Sequence, residues 1–245
     1  MIRVFLDSPP APGEPLVLTG ETARHLGGAL RLRPGEEFVA VAPGGVEHRC
    51  RATEATPARV TAEVGAGVRS AREPGVDVRI CQALLKGDQL ERILEFATEL
   101  GAAAFQPLLT ERVVARPEPA KLAARLPRWR QIVRGAAELG QRGRLPEVLQ
   151  PATLPDALAP ARQRLLLYEG TGLKSLSDVP LGATGISLLV GPEGGWSDAE
   201  VELATAAGAL PVTLGPRIMR PLPAVMTALA VVLHRAGDLR LKETR

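Results

Sequence analysis

Ile186-Ser-Leu-Leu-Val190-Gly-Pro-Glu-Gly-Gly195-Trp-Ser197-Asp-Ala-Glu200 is the stretch on which the fold class turns. A short apolar run of strand length leads into a turn with three glycines in five residues, Gly191 to Gly195. Ser197 with Glu200 three positions later then forms a capping box that opens a helix. Glycines at a strand end let a ligand approach the backbone closely. The turn lacks the Gly-Lys-Ser/Thr of a Walker loop and the spacing of a dinucleotide fingerprint, so by itself it is equally an ordinary tight turn.

The same rhythm runs outward from it. Val78 to Ala83 reads as a strand, and Asp88 caps a helix with an apolar stripe at Leu90, Ile93, Leu94, Ala97 and Leu100. Gly101 ends that helix, and strands follow at Ala104 to Leu108, Arg164 to Tyr168, Ile186 to Val190 and Pro211 to Leu214. Alternation of this kind predicts an α/β domain with a mainly parallel sheet, its ligand site beyond the carboxyl ends of the strands. Residues 1 to about 70 differ. Short alternating runs broken by turns such as Pro43-Gly44-Gly45, with one short helix over Thr22 to Leu30, predict a small β-barrel. The best linker is Ser70-Ala-Arg-Glu-Pro-Gly75, which gives domains over 1–72 and 73–245.

Composition narrows the function classes. The 245 residues are 45% hydrophobic and 23% charged, a globular mixture rather than a disordered one. No apolar run is long enough to cross a bilayer, and Met1 to Leu6 reads as a strand rather than a signal peptide, so the expectation is a soluble cytoplasmic chain. Cys50 and Cys81 make no disulfide framework, and the scattered His25, His48 and His234 offer no zinc spacing, so no metal is expected. Of 30 basic residues only Lys86, Lys121, Lys174 and Lys242 are lysines, so positive charge arrives mostly as planar forks suited to phosphate. From Arg112 to Arg144 nine basic residues face two acids. That run describes either a solvated helix face or a nucleic-acid surface that includes Arg128 and Arg142.

A second loop carries chemistry. Val212-Thr-Leu214 ends in Gly215-Pro-Arg217-Ile-Met-Arg220, and two arginines beside a glycine rarely serve packing alone. After Pro221-Leu222-Pro223, the run Ala224 to Leu233 has almost no polar face, which predicts a helix buried in the core or against another subunit.

Four stretches together resemble the SPOUT superfamily, specifically the bacterial 16S ribosomal RNA uridine-N3 methyltransferases. They are Arg24-His25-Leu26 with Leu30-Arg31, Leu85-Lys-Gly-Asp88 through Thr98-Glu-Leu-Gly101 to Thr110-Glu-Arg112, Val190 to Gly195, and Leu214 to Arg220. The resemblance implies a PUA-like RNA-binding barrel followed by an α/β domain with a deep trefoil knot. It also implies S-adenosylmethionine held in the knot by three loops. Mapped here, these comprise Leu167 and Tyr168; Leu189, Val190, Gly191, Glu193, Gly194 and Gly195; and Leu214, Gly215, Ile218, Met219, Arg220 and Ala224. Arg24, His25 and Arg31 would meet RNA beside Arg128 and Arg142, the partner being ribosomal RNA or the small subunit. A homodimer through the last helix is implied as well.

The implied reaction needs a base for the uridine N3 proton and a stabiliser for the resulting anion. Glu193 and Glu169 are the candidate carboxylates, and Arg220, Arg112 and Arg142 the candidate stabilisers. The chain also departs from the family's usual text. Where the family has a Glu-Ala-x-Glu-Gln helix and Arg-x-Glu-Thr-Ala, this chain has Gly135, Leu139 and Leu222 at three polar positions, with Glu138, Arg142 and Arg220 retained. Slower turnover on the usual uridine follows, or another acceptor. Three readings therefore stand: the uridine-N3 enzyme, a methyltransferase with a different RNA or small-molecule acceptor, and a catalytically silent RNA-binding paralogue.

Overall fold

The computed structural model describes residues 1–113, 118–158 and 162–240 as two compact units. Arg116 of the basic run and the last five residues lie outside the described residues. The first unit comprises Met1–Glu73 and Ala137–Leu145. Its strands are β1 (Ile2–Phe5), β2 (Leu16–Thr19), β3 (Glu37–Ala42), β4 (Val46–Ala55) and β5 (Arg59–Arg69), in the order β1-β3-β4-β5-β2. Only the β1–β3 pair is parallel. The ladder ends at β1 and β2, so the expected barrel is an open half-barrel. Register slips between His48 and Cys50, and between Ala52 and Glu54, add local twist to the long β4–β5 ribbon. Phe38, Leu26, Leu32, Cys50 and Val60 fill its core. The helix expected over Thr22 to Leu30 is a short α1 (Gly20–Ala23) continued by a wider π-turn, Arg24–Ala29.

Residues 137–145 are a return of the chain that a single boundary at 72 leaves out. Ala137 and Leu145 pack with Phe5, Val39 and Val41. Arg142, which the charge run puts on a basic surface, is buried at 3% exposure. Its Nε and Nη2 donate to the two Glu73 carboxylate oxygens at 2.9 and 2.6 Å, and its carbonyl accepts from Arg3 Nη1 at 2.8 Å. Arg3 also donates to Glu47 at 2.9 Å. Burial pushes the Glu73 carboxyl up, but the Arg142 hydrogen bonds and charge, with the Gly143 and Arg144 N–H groups, outweigh it and hold it below the usual carboxylate range.

The second unit spans Pro74–Ala136 and Pro146–Arg245. Its elements run β6 (Val78–Ala83), α2 (Gln89–Leu100), β7 (Ala104–Leu109), α3 (Pro119–Ala123), α4 (Leu126–Leu139, its last turn counted with the first unit), β8 (Glu147–Val148), β9 (Ala152–Thr153) and α5 (Leu154–Ala157). Then come β10 (Gln163–Leu167), β11 (Lys174–Ser175), β12 (Ile186–Val190), α6 (Asp198–Ala206), β13 (Leu210–Thr213) and α7 (Pro221–Arg235). All the strand pairs are parallel, in the order β11-β13-β10-β12-β6-β7-β8 with β9 also on β7. This is the mixed α/β fold that the alternation predicts.

The α2 stripe is buried as expected at Leu90, Ile93, Leu94 and Ala97, although the Asp88 side chain makes no capping bond. Gly101, at φ 128°, ends the helix. α7 starts three residues earlier than its apolar run because proline at the first helical position loses no intrahelical bond. It buries Ala224, Val225, Ala228, Leu229, Val232 and Leu233, while Met226, Ala230 and Val231 stay half-buried. No helix among the described residues is long and apolar enough to cross a membrane.

The Glu73–Arg142 pair sets a pH dependence. A carboxyl whose folded pKa lies below its unfolded value contributes fully above the unfolded value, near 4.5, and loses that contribution as pH falls through the folded one. In urea titrations the stability difference between the natural chain and Glu73→Gln should therefore shrink as pH falls from about 6 to about 3. Arg142→Ala, which strands a buried carboxylate, should cost about 3–5 kcal/mol at neutral pH. A loss under about 1 kcal/mol would mean the pair contributes nothing.

Candidate functional site

Three neighbouring parallel strands, β13, β10 and β12, end side by side at Thr213, Leu167 and Val190. Strand ends leave backbone groups without ladder partners, and here loops rather than further strands cover them. The space between those loops is a cavity of about 400 Å³. That is the size of a pocket for a small ligand.

The glycine loop is held mainly from outside the cavity. Gln82, on β6 and opposite Val190, is 2% exposed. Its Nε2 donates to the carbonyls of Ala83 and Gly191 at 3.0 Å and of Val190 at 3.4 Å. The Lys86 N–H donates to Glu193 Oε1 at 3.0 Å, and Arg112 Nη1 donates to the Gly194 carbonyl at 3.2 Å. Trp196, 4% exposed, donates its Nε1–H to the Leu167 carbonyl at 3.1 Å and so ties the second loop to the first. Glu200 closes the capping box with Ser197 and also accepts the Glu111 N–H at 2.8 Å. A Cβ on Gly191 would stand 3.2 Å from Trp196 Nε1, so any side chain there displaces the ring. Gly215 has φ +107°, where an L side chain is strained.

The third loop is the least tied. The backbone of residues 216–219 makes no hydrogen bond among the described residues, and the Arg217 and Arg220 guanidinium groups have no partner. Glu169, exposed at the end of the first loop, has none either. Apolar walls from Leu167, Val190, Trp196, Met219 and Ala224 thus meet two carboxylates, Glu169 and Glu193, and two unpaired cations. Such a lining suits a ligand with a flat apolar part and both a positive and a negative group.

The cavity brings together Leu167, Tyr168, Val190, Gly191, Glu193 and Gly195 with Leu214, Gly215, Ile218, Met219, Arg220 and Ala224. It excludes two expected residues. Leu189 is buried in the sheet core, and Gly194 turns outward to Arg112. Arg112 serves the loop from behind rather than facing the cavity. Pro192, Trp196, Thr213 and Pro221 also line it without having been assigned to the site from sequence, and Arg217, singled out there beside Arg220, lines it too. Trp196 had a usable signal, a large aromatic directly after a glycine turn.

Elsewhere, Arg24, His25 and Arg31 are exposed on the first unit, His25 Nε2 lying 3.8 Å from Glu138 Oε2. Arg31 holds a left-handed φ of 54°. Arg128 is exposed but paired with Glu91 at 2.7 Å. Gly135 and Leu139 are exposed, and Leu222 sits half-buried in the first turn of α7; none of the three lines the cavity. No cluster of three metal-ligating side chains occurs among the described residues.

Comparison with known proteins places this geometry. Residues 72–233 match the RNA methyltransferase domain family. The ribosomal RNA small subunit methyltransferase E of Synechocystis is 38% identical over 228 residues, covering 89% of this chain and 72% of the relative. The protein of the same name from Mycobacterium tuberculosis is 33% identical, with 96% and 90% covered. Among solved structures, a ribosomal RNA small subunit methyltransferase E from Neisseria gonorrhoeae bound to S-adenosyl methionine superposes with a TM-score of 0.88 at 31% identity, covering 96% of this chain and 98% of that one. A Legionella pneumophila methyltransferase solved with SAM gives 0.88 at 32% identity, with 96% and 97% covered.

Cys81 lies behind the cavity, in one cluster with Leu166, Leu189 and Trp196. Burial pushes its thiol up to about 12 and that of Cys50 to about 11. Only a thiolate attacks a disulfide reagent. Ellman's reagent at pH about 8 should therefore modify neither thiol in the folded protein and both in denaturant. Rapid native labelling would show that the sheet behind the site opens.

Proposed function

The chain belongs to the RNA methyltransferase domain family, among the ribosomal RNA small subunit methyltransferase E proteins, and from that premise we propose that it methylates N3 of a uridine in small-subunit ribosomal RNA. It is an S-adenosylmethionine-dependent ribosomal RNA methyltransferase. The observation that carries the reading is the cavity at the ends of β10, β12 and β13, whose size, apolar walls and paired charges fit that cofactor. Bound there, S-adenosylmethionine supplies an electrophilic methyl group on a sulfonium.

The chain's own residues do the rest. Carbonyls and N–H groups of the three loops bind the donor, while Glu169 and Glu193 favour its positive groups. The Glu193 carboxylate is fixed by the Lys86 N–H, which makes it a positioned electrostatic group more than a roving base. Arg220, on the rim and unpaired among the described residues, stabilises the uridine anion left when the N3 proton passes to solvent water. Arg112 acts as a positioning residue through the Gly194 carbonyl.

The remaining parts of the reading are also proposals. The chain passes from β10 to β12 on one side and then to β13 on the other, a connectivity that supports a trefoil knot around the site. The half-barrel unit serves as a PUA-like RNA platform over about residues 1–72, with Arg24, His25 and Arg31 at its contact face and Arg128 on the methyltransferase unit over 73–245. The half-buried Met226, Ala230 and Val231 on α7 support a homodimer through that helix. The protein works in the cytoplasm, where ribosomal subunits mature.

Three measurements test this. Calorimetry should find S-adenosylmethionine binding that weakens at least about tenfold in Gly215→Val, where the left-handed backbone costs on the order of 1–3 kcal/mol. Gly191→Ala should weaken it through the Trp196 ring, and Gly194→Ala should leave it near the natural value. Mass spectrometry of nucleosides from small-subunit RNA treated with the protein should show 3-methyluridine. A different methylated nucleoside would shift the reading to another acceptor, and donor binding without any product would favour a silent RNA binder. Neutralising Arg24, Arg31 and Arg128 should lower RNA affinity for all sequences and flatten its salt slope.

A further inference from the structure

A second cavity, of about 380 Å³, adjoins the first. The two share Glu169, Thr213, Gly215, Arg217 and Ile218, and the second extends past Leu173 and Pro216. We propose that this second cavity seats the acceptor nucleotide, with Arg217 holding its phosphate. The inference rests on the methyltransferase reading and gives the acceptor a place in it.

Methyl transfer requires the attacking atom to approach the methyl carbon from the side opposite sulfur. Donor and acceptor must therefore occupy adjoining volumes with a common boundary. The shared wall is such a boundary. Arg217 stands in it with an exposed guanidinium that has no ion pair or hydrogen bond among the described residues, on a backbone stretch that has none there either, so it can turn toward a phosphate without breaking a described contact. Its planar fork matches two phosphate oxygens. Ile218 is 83% exposed, the most exposed of the large hydrophobic side chains, and offers an apolar face for a base. Glu169, on the wall that the two cavities share, offers carboxylate oxygens that a ribose hydroxyl can donate to. Arg220 lines the first cavity alone, so the two arginines divide the work: Arg220 toward the reacting base, Arg217 toward the backbone that carries it.

The test uses the full chain with Arg217→Ala, Arg217→Lys and Leu173→Trp. Three quantities are measured: S-adenosylmethionine affinity by calorimetry, small-subunit RNA affinity by equilibrium binding, and methyl transfer at saturating donor. In Arg217→Ala the KM and Kd for RNA should rise about tenfold, at least about five times more than donor affinity falls, and the salt slope should drop by about 0.9. Arg217→Lys should recover part of the loss. Leu173→Trp, which fills the outer end, should stop transfer while donor binding persists. A donor-affinity loss equal to or larger than the RNA loss would assign the second cavity to the donor and overturn the inference. Unchanged values throughout would make it a solvated groove and overturn it equally. Should the natural protein bind RNA yet methylate none, the methyltransferase reading falls on that result, while the subsite is still judged by whether Arg217→Ala weakens RNA binding.

Discussion

A parallel strand that stops inside a protein leaves its last carbonyls with nowhere to go, and the Gln82 carboxamide answers that constraint for β12. Its N–H groups take up the Val190 and Gly191 carbonyls at the point where the chain leaves the sheet. Everything around the cavity inherits the path so fixed. Gly191 passes beneath the Trp196 ring, Trp196 reaches across to the Leu167 carbonyl, and Glu193 arrives where the Lys86 N–H can hold it. The cavity is thus shaped both by Gln82 and Lys86, which do not face it, and by lining residues that tie its loops together. Gln82 leaves its own Oε1 buried without a partner, so one unsatisfied acceptor stays inside the scaffold of the site.

Rigidity is unevenly distributed among the three loops. The glycine loop is clamped by Gln82, Lys86, Arg112 and Trp196, whereas residues 216–219 carry no backbone hydrogen bond. A fixed wall and a compliant one suit a site that must hold one ligand firmly and admit another. Both unpaired arginines belong to the compliant side, where turning costs no existing contact.

Much of the α/β unit was legible in the sequence because its signals are local. Capping boxes, apolar runs and glycine stops act over three to five residues, and β6, β12 and the α2 stripe stand where those signals put them. The cavity lining at Tyr168, Gly191, Gly215 and Arg220 was legible for a different reason, the match to a family's motifs. What stayed hidden depends on contacts distant in sequence. Arg142 belongs to a basic run by charge count, yet Glu73, 69 positions away, takes it into the interior. Arg112 reads as a stabiliser because it is an arginine near a motif, and only the fold shows it bracing Gly194 from behind. That the small barrel is an open half-barrel was not legible, because alternation reports which strands exist and is silent on whether the first and last of them meet. Gly135 and Leu139 show the reverse limit, since departure from a motif does not reveal which surface the altered residue occupies.

The return of residues 137–145 to the first unit has a consequence for how the chain is made. Synthesis runs from the amino end, and early domains ordinarily fold as they emerge. Here the strands of the half-barrel are complete by Arg69 and Arg3 already has Glu47, but Glu73 lacks its guanidinium partner until Arg142 has left the ribosome. In the interval the first unit has its full sheet but lacks the segment that pairs Glu73 and packs on Phe5 and Val41, while most of the first half of the second unit is being extruded. A gene fragment ending at the linker therefore does not encode a self-sufficient module. The two units are interleaved in the order of synthesis, and the first is finished only when the second is well begun.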